Sequence, residues 1–141
     1  MMDISTPLKI IKEKKVKRVV LDSLSLFEYA HSPGSIEFRR EVLDFLVRMK
    51  QSGVTFLSTS QQTTLDIDKI KFQPEDFLFD GLIFMMKIRK LASFERCITV
   101  AKMRGQDHLM DIFPFTIGKG GITVFPDQLP FSLIEKDLKK K

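Results

Sequence analysis

Tryptophan is absent from the 141 residues, cysteine and tyrosine occur once each, and histidine occurs twice. One thiol closes no internal disulfide, and two imidazoles with one thiol make no zinc-type ligand set, so a disulfide scaffold and a zinc-organised fold are both excluded. No apolar run approaches the roughly 20 residues that cross a bilayer. The first residues, with Asp3, Pro7 and a lysine-rich segment, lack the apolar stretch of a secretion signal. A cytoplasmic location without membrane attachment is therefore expected. Cys97, inside the strand-like RCITV, reads as a small buried hydrophobe.

What is present suits a folded chain. With 43% hydrophobic and 29% charged residues, one domain over residues 1–141 is expected, with a frayed basic tail from about 133 to 141. The net charge of +5 sits largely in KEKKVKR (12–18) and KDLKKK (136–141). Such runs are usually solvated helix faces or tails, with phosphate binding as the competing reading.

Thr6-Pro7 has the form of a helix start, a hydroxyl cap followed by proline, and this helix is expected to end near Val16. KRVVLDSL (17–24) follows, a strand over 18–22 driven into a core and stopped by the carboxylate of Asp22. A polar loop through EYAHSPGS, which contains His31, leads to Ser35, placed to cap a second helix. There Phe38, Val42, Phe45, Leu46 and Met49 recur on one helical stripe, and Gly53 stops the helix. VTFLSTS (54–60) is again a strand ending in polar groups. Strand, helix, strand at this spacing predicts a parallel βαβ unit with Asp22 and Thr59/Ser60 at the same edge.

Beyond a loop at 73–77 the period changes to two. GLIFMMKIRK (81–90) and ERCITVAKMR (95–104) read as antiparallel partners joined by a short turn, and DIFPFTIGKGGITVFPD (111–127) reads as a hairpin turning at GKGG. The second half is thus expected to be a β-meander extending the first sheet. The fold class is α/β, with two parallel strands in a βαβ unit followed by the meander.

In this order the segments VKRVVLDSLSLF, RREVLDFLVRMKQSGVTFLSTSQ, EDFLFDGLIFM and VAKMRGQDHLMDIFPFTIGKGGITVFP resemble the second half of a RecA-type ATPase domain, in particular the KaiC-like family. They span about residues 8 to 131, and the last is the most specific. The resemblance implies that Asp22 matches the Walker B aspartate, which holds magnesium through water, and that Ser23 is the polar position after it. It implies that Thr59 and Ser60 match the end of the neighbouring strand, where a side chain senses the γ-phosphate. Lys102 and Arg104 match a Lys-x-Arg pair that, in ring-forming relatives, reaches the neighbouring subunit's ATP; a solvated strand-end pair is the competing reading. His108 reads as a loop or packing residue.

One departure from the family's pattern matters most. None of the seven glycines begins G-x-x-x-x-G-K-[ST], the loop whose backbone N–H groups cradle phosphates, and GKGG (118–121) joins two strands with no helix behind it. Autonomous hydrolysis is therefore not expected, nor is a cofactor for the chain alone; Mg-ATP is expected only when a P-loop partner complements it. The strand neighbouring 54–60 in the family is also lacking, so the remaining strands should close up or the chain should associate, as a homodimer or higher oligomer or with a complete KaiC- or RecA-like ATPase. A second reading is one subunit of a split ATPase. A third is a single-stranded nucleic-acid module using Lys87, Arg89, Lys90 and Arg96, although stacking aromatics are not obvious among the phenylalanines, most of which fall at core-like positions.

Overall fold

Ser35 caps the longest helix among the described residues. Its hydroxyl accepts a hydrogen bond from the Phe38 N–H at 3.1 Å, satisfying one of the orphan donors of the first turn. The computed structural model describes residues 5–24, 35–61, 72, 74–90 and 92–138. They gather into two compact units: one of residues 1–63 and 73–78, the other of 64–72 and 79–141.

In the first unit the elements are α1 (Ser5–Glu13), β1 (Arg18–Leu21), α2 (Ile36–Gln51), β2 (Thr55–Ser58) and a 3-10 turn (Pro74–Leu78) where a loop is expected. Helix α1 is already running at Ser5, so Thr6 lies inside it, with Pro7 in the first turn where no N–H is missed. It stops at Glu13, short of Val16, because Lys15 takes a left-handed conformation (φ 51°). The Val16 N–H then returns to the Ile11 carbonyl at 3.0 Å, the six-to-one bond of a Schellman end. Helix α2 ends at Gln51 with Ser52 as its cap, and Gly53 follows with a φ of 72° that suits a residue without a Cβ.

The stripe on α2 supplies the core: Phe38, Val42 and Met49 are buried with Ile11 and Leu24. The Phe45 ring meets that of Phe56 edge to face at 5.4 Å between centroids, so α2 covers one face of the β1–β2 pair. The strands run parallel, Arg18 opposite Thr55 through Leu21 opposite Ser58, as the βαβ spacing predicts. The expected burial of the whole run 18–21 does not hold. Burial alternates along both strands, and Val20 and Leu57, directly opposite each other, are 65% and 57% exposed. A parallel strand needs cover on both faces to read as core throughout, and among the described residues of the first unit the second face is bare.

The second unit contains β3 (Gly81–Lys90), β4 (Ser93–Met103), β5 (Phe113–Gly118), β6 (Gly121–Val124) and α3 (Phe131–Leu138). The strands form an antiparallel sheet in the order β3-β4-β5-β6. Among the described residues this is a sheet of its own, not an extension of β1–β2. The GKGG turn forms as expected, with Gly118 opposite Gly121 and Gly121 at φ 101°. One irregularity interrupts β3–β4: Leu82 faces Lys102 while Ile83 faces Val100, so Ala101 is an extra residue. This bulge moves Lys102 onto the face of Leu82 and Phe84, opposite to that of Ile83 and Val100.

Residues 133–138, expected as tail, belong to α3. A carboxylate from β4 holds its first turn: Glu95 Oε2 accepts from the Ser132 N–H at 3.0 Å and the Ser132 hydroxyl at 2.8 Å, and Oε1 accepts from the Phe131 N–H at 3.3 Å. Lys90 Nζ lies 4.2 Å from the centroid of the Phe131 ring. Burial alone would raise the Glu95 pKa, but the Ser132 and Phe131 hydrogen bonds and the Lys90 charge more than offset it, so the carboxyl sits below its ordinary value. Cys97 is fully buried on the same sheet, and desolvation, with a smaller contribution from Glu95, pushes its thiol up to about 11. It is a core residue, not a thiolate nucleophile.

Two measurements check this packing. Met49→Ala should cost about 2–3 kcal/mol and Ser35→Ala about 1 kcal/mol in denaturant unfolding. Because the folded pKa of Glu95 is depressed, its contribution is complete above the unfolded value of about 4.3 and is lost as pH falls through the folded value. Glu95→Gln should flatten the acid limb of the stability profile, and amide exchange in α3 should accelerate in that variant at neutral pH.

Candidate functional site

Parallel pairing places the residues after Leu21 and Ser58 at one strand edge. The Thr59 N–H donates to the Leu21 carbonyl at 3.1 Å, and the Leu24 N–H donates to the Thr59 carbonyl at 2.8 Å, continuing the ladder past both strand ends. The Thr59 hydroxyl donates to Asp22 Oδ1 at 2.5 Å, and the Ser58 hydroxyl reaches the Leu21 carbonyl at 3.3 Å. Asp22 and Thr59 are exposed, Ser23 is half-buried, and the peptide between Asp22 and Ser23 is cis. Ser60 is exposed one residue beyond Thr59. Four residues singled out in the sequence therefore share one corner, two of them in direct contact.

The donor set at this corner is one carboxylate and neighbouring hydroxyls. Among the described residues no group of three or more histidine, cysteine or acidic side chains gathers anywhere. Hard oxygen donors in such small number do not cage a calcium or zinc ion. They do fit magnesium, which keeps most of its waters and takes further oxygens from phosphate.

Lys102 and Arg104 lie in the second unit, at and just past the end of β4. Arg104 is engaged within the chain: its Nη1 lies 2.8 Å from Asp80 Oδ1, and its N–H donates to the Asp80 carbonyl at 2.7 Å. Asp80 is not singled out by the sequence. It stands 24 residues away and meets Arg104 only through the β3–β4 register, a separation that carries no local signal. His108 is half-buried, with Nδ1 3.4 Å from the Gln106 carbonyl and a buried Nε2, in keeping with a loop residue.

The four basic residues considered for nucleic acid divide. Lys87, Arg89 and Arg96 lie on the exposed face, whereas Lys90 falls on the opposite face against Phe131. Among the described phenylalanines, Phe38 and Phe115 are buried, whereas Phe72, Phe77, Phe94 and Phe131 are exposed. His31 and the loop through Tyr29 lie outside the described residues.

No helix among the described residues is long and apolar enough to cross a membrane. A family model described as the ATPase KaiC matches residues 4–129. Similar proteins include the circadian clock oscillator protein KaiC of one strain of Prochlorococcus marinus, 32% identical over 115 residues, which cover 82% of this chain and 23% of the relative. The protein of the same name from Parathermosynechococcus lividus is 31% identical over 116 residues, 82% of this chain and 21% of that one. The chain thus spans less than a quarter of the length of these relatives. With nearly its whole length matched, the chain belongs to the KaiC family of RecA-type ATPases.

Proposed function

We propose that the chain contributes half of a nucleotide site and acts by association, not as an autonomous ATPase. The observation that carries this reading is the contact of Asp22 with Thr59 at the C-terminal edge of a parallel strand pair. Ligands of open α/β sheets gather at that edge, and a carboxylate there holds the water shell of magnesium while phosphate oxygens complete it. Asp22 would hold that shell, and Thr59 and Ser60 would face the phosphate. Bound magnesium would supply charge neutralisation to the phosphoryl group. No glycine-rich cradle occurs in the 141 residues, so the phosphate must be brought by a P-loop on another segment or subunit.

Association has its own support. The face with Val20 and Leu57 is an apolar surface of the kind that seeks cover, whether from a second copy or from a complete KaiC-family partner. Lys102 and Arg104 would be the cations offered to a neighbour's phosphate, and Arg104 would exchange Asp80 for it. The Asp80 pair is more than half exposed on both sides, so the exchange costs little.

Calorimetric titration of Mg-ATP into the purified chain should give no saturable binding, and micromolar affinity would refute the requirement for an external cradle. Mixing with a P-loop-bearing fragment of a relative should restore binding, and Asp22→Ala should remove it from the mixture. Sedimentation of the chain alone should show concentration-dependent association that Leu57→Asp abolishes. A strictly monomeric profile would overturn self-association.

A further inference from the structure

On the exposed face of the β3–β4 hairpin, residues directly opposite each other point the same way. Met85 faces Ile98, Lys87 faces Arg96, and Arg89 faces Phe94. Toward the bulge the face is aliphatic, with Ile83 49% and Met85 51% exposed; toward the turn it is cationic, with Phe94 62% exposed. Lys87 and Arg96 pair with no carboxylate among the described residues, although like charges opposite each other destabilise a sheet. Among the described residues the two cations beside exposed Met85 are therefore uncompensated.

We propose that this face is a docking surface for an acidic amphipathic segment of a partner protein, whose apolar stripe covers Ile83 and Met85 and whose carboxylates meet Lys87 and Arg96. From Ile83 to Arg89 the strand runs about 20 Å, the length of a helix of about 14 residues. A second copy of the chain is disfavoured as occupant, because an isologous contact would bring this face against itself and so offer Lys87 and Arg96 no carboxylate among the paired residues of the face. A nucleic acid is disfavoured because half of the face is aliphatic and its aromatics, Phe94 near the turn and Phe113 of β5 beside Ile98, stand apart, where single strands want successive stacking platforms.

The test is fluorescence anisotropy with the full chain and a labelled synthetic helix of about 14 residues, leucine on one stripe and glutamate on the other. The same composition scrambled and an oligothymidine serve as the alternatives. The amphipathic peptide should bind saturably, and a Lys87→Glu/Arg96→Glu variant should weaken it at least about tenfold. Met85→Asp should weaken it comparably. Lys87→Gln/Arg96→Gln, which removes the like-charge pair, guards against misfolding: it should melt at or above the wild-type temperature and still lose affinity. Equal binding of the scrambled peptide, preference for the oligothymidine, or full affinity in the variants would overturn the proposal.

Discussion

The parallel pairing of Arg18–Leu21 with Thr55–Ser58 is the constraint on which the candidate site depends. Parallel strands cannot be joined by a tight turn, so an intervening helix has to carry the chain back, and α2 does so while burying Phe38, Val42 and Met49. Once the register is set, Asp22 and Thr59 meet without any contact of their own to guide them. A slip of one residue in either strand would turn Thr59 away from Asp22 and exchange the covered and bare faces of that strand. The site is thus a by-product of the register, and the register is fixed by the apolar stripe on α2.

Much of this was legible because the signals are local. Ser35, the stripe from Phe38 to Met49 and Gly53 specify α2 by capping, period and termination within 19 residues of chain. The alternation in β3 and the GKGG turn are equally short-range. The Asp22 corner followed from combining two polar strand ends with the right-handed βαβ rule. What could not be read depends on partners distant in the chain. The exposure of Val20 is hidden from RVVL because cover on the second face is a property of the surroundings. The helical state of residues 131–138 depends on Glu95, and the engagement of Arg104 depends on Asp80. Lys90 and Lys87 look alike in sequence, yet strand parity sends one against Phe131 and the other to the exposed face.

Charge has separate uses in the two units. In the first, the carboxylate of Asp22 is exposed at a strand edge, where desolvation is small and a hydrated cation can approach. In the second, Glu95 is partly buried and its hydrogen bonds to Ser132 and Phe131 offset the cost of burial. Lysine and arginine likewise divide: Lys90 lies over an aromatic ring, Arg104 pairs with a carboxylate, and Lys87 and Arg96 oppose each other. The overall excess of +5 describes none of these settings.

The connections also set an order of assembly. Strands β3 and β4 are joined by two residues, so their hairpin can close on the timescale of about 1–10 μs typical of such turns. The Asp22–Thr59 and Glu95–Ser132 contacts each span 37 residues, so both must wait for a long loop to close against its entropy. During that wait the hairpin already presents its mixed aliphatic and cationic face, while the Asp22–Thr59 corner does not yet exist. On refolding, the chain would thus form the hairpin face before the corner that Asp22 shares with Thr59.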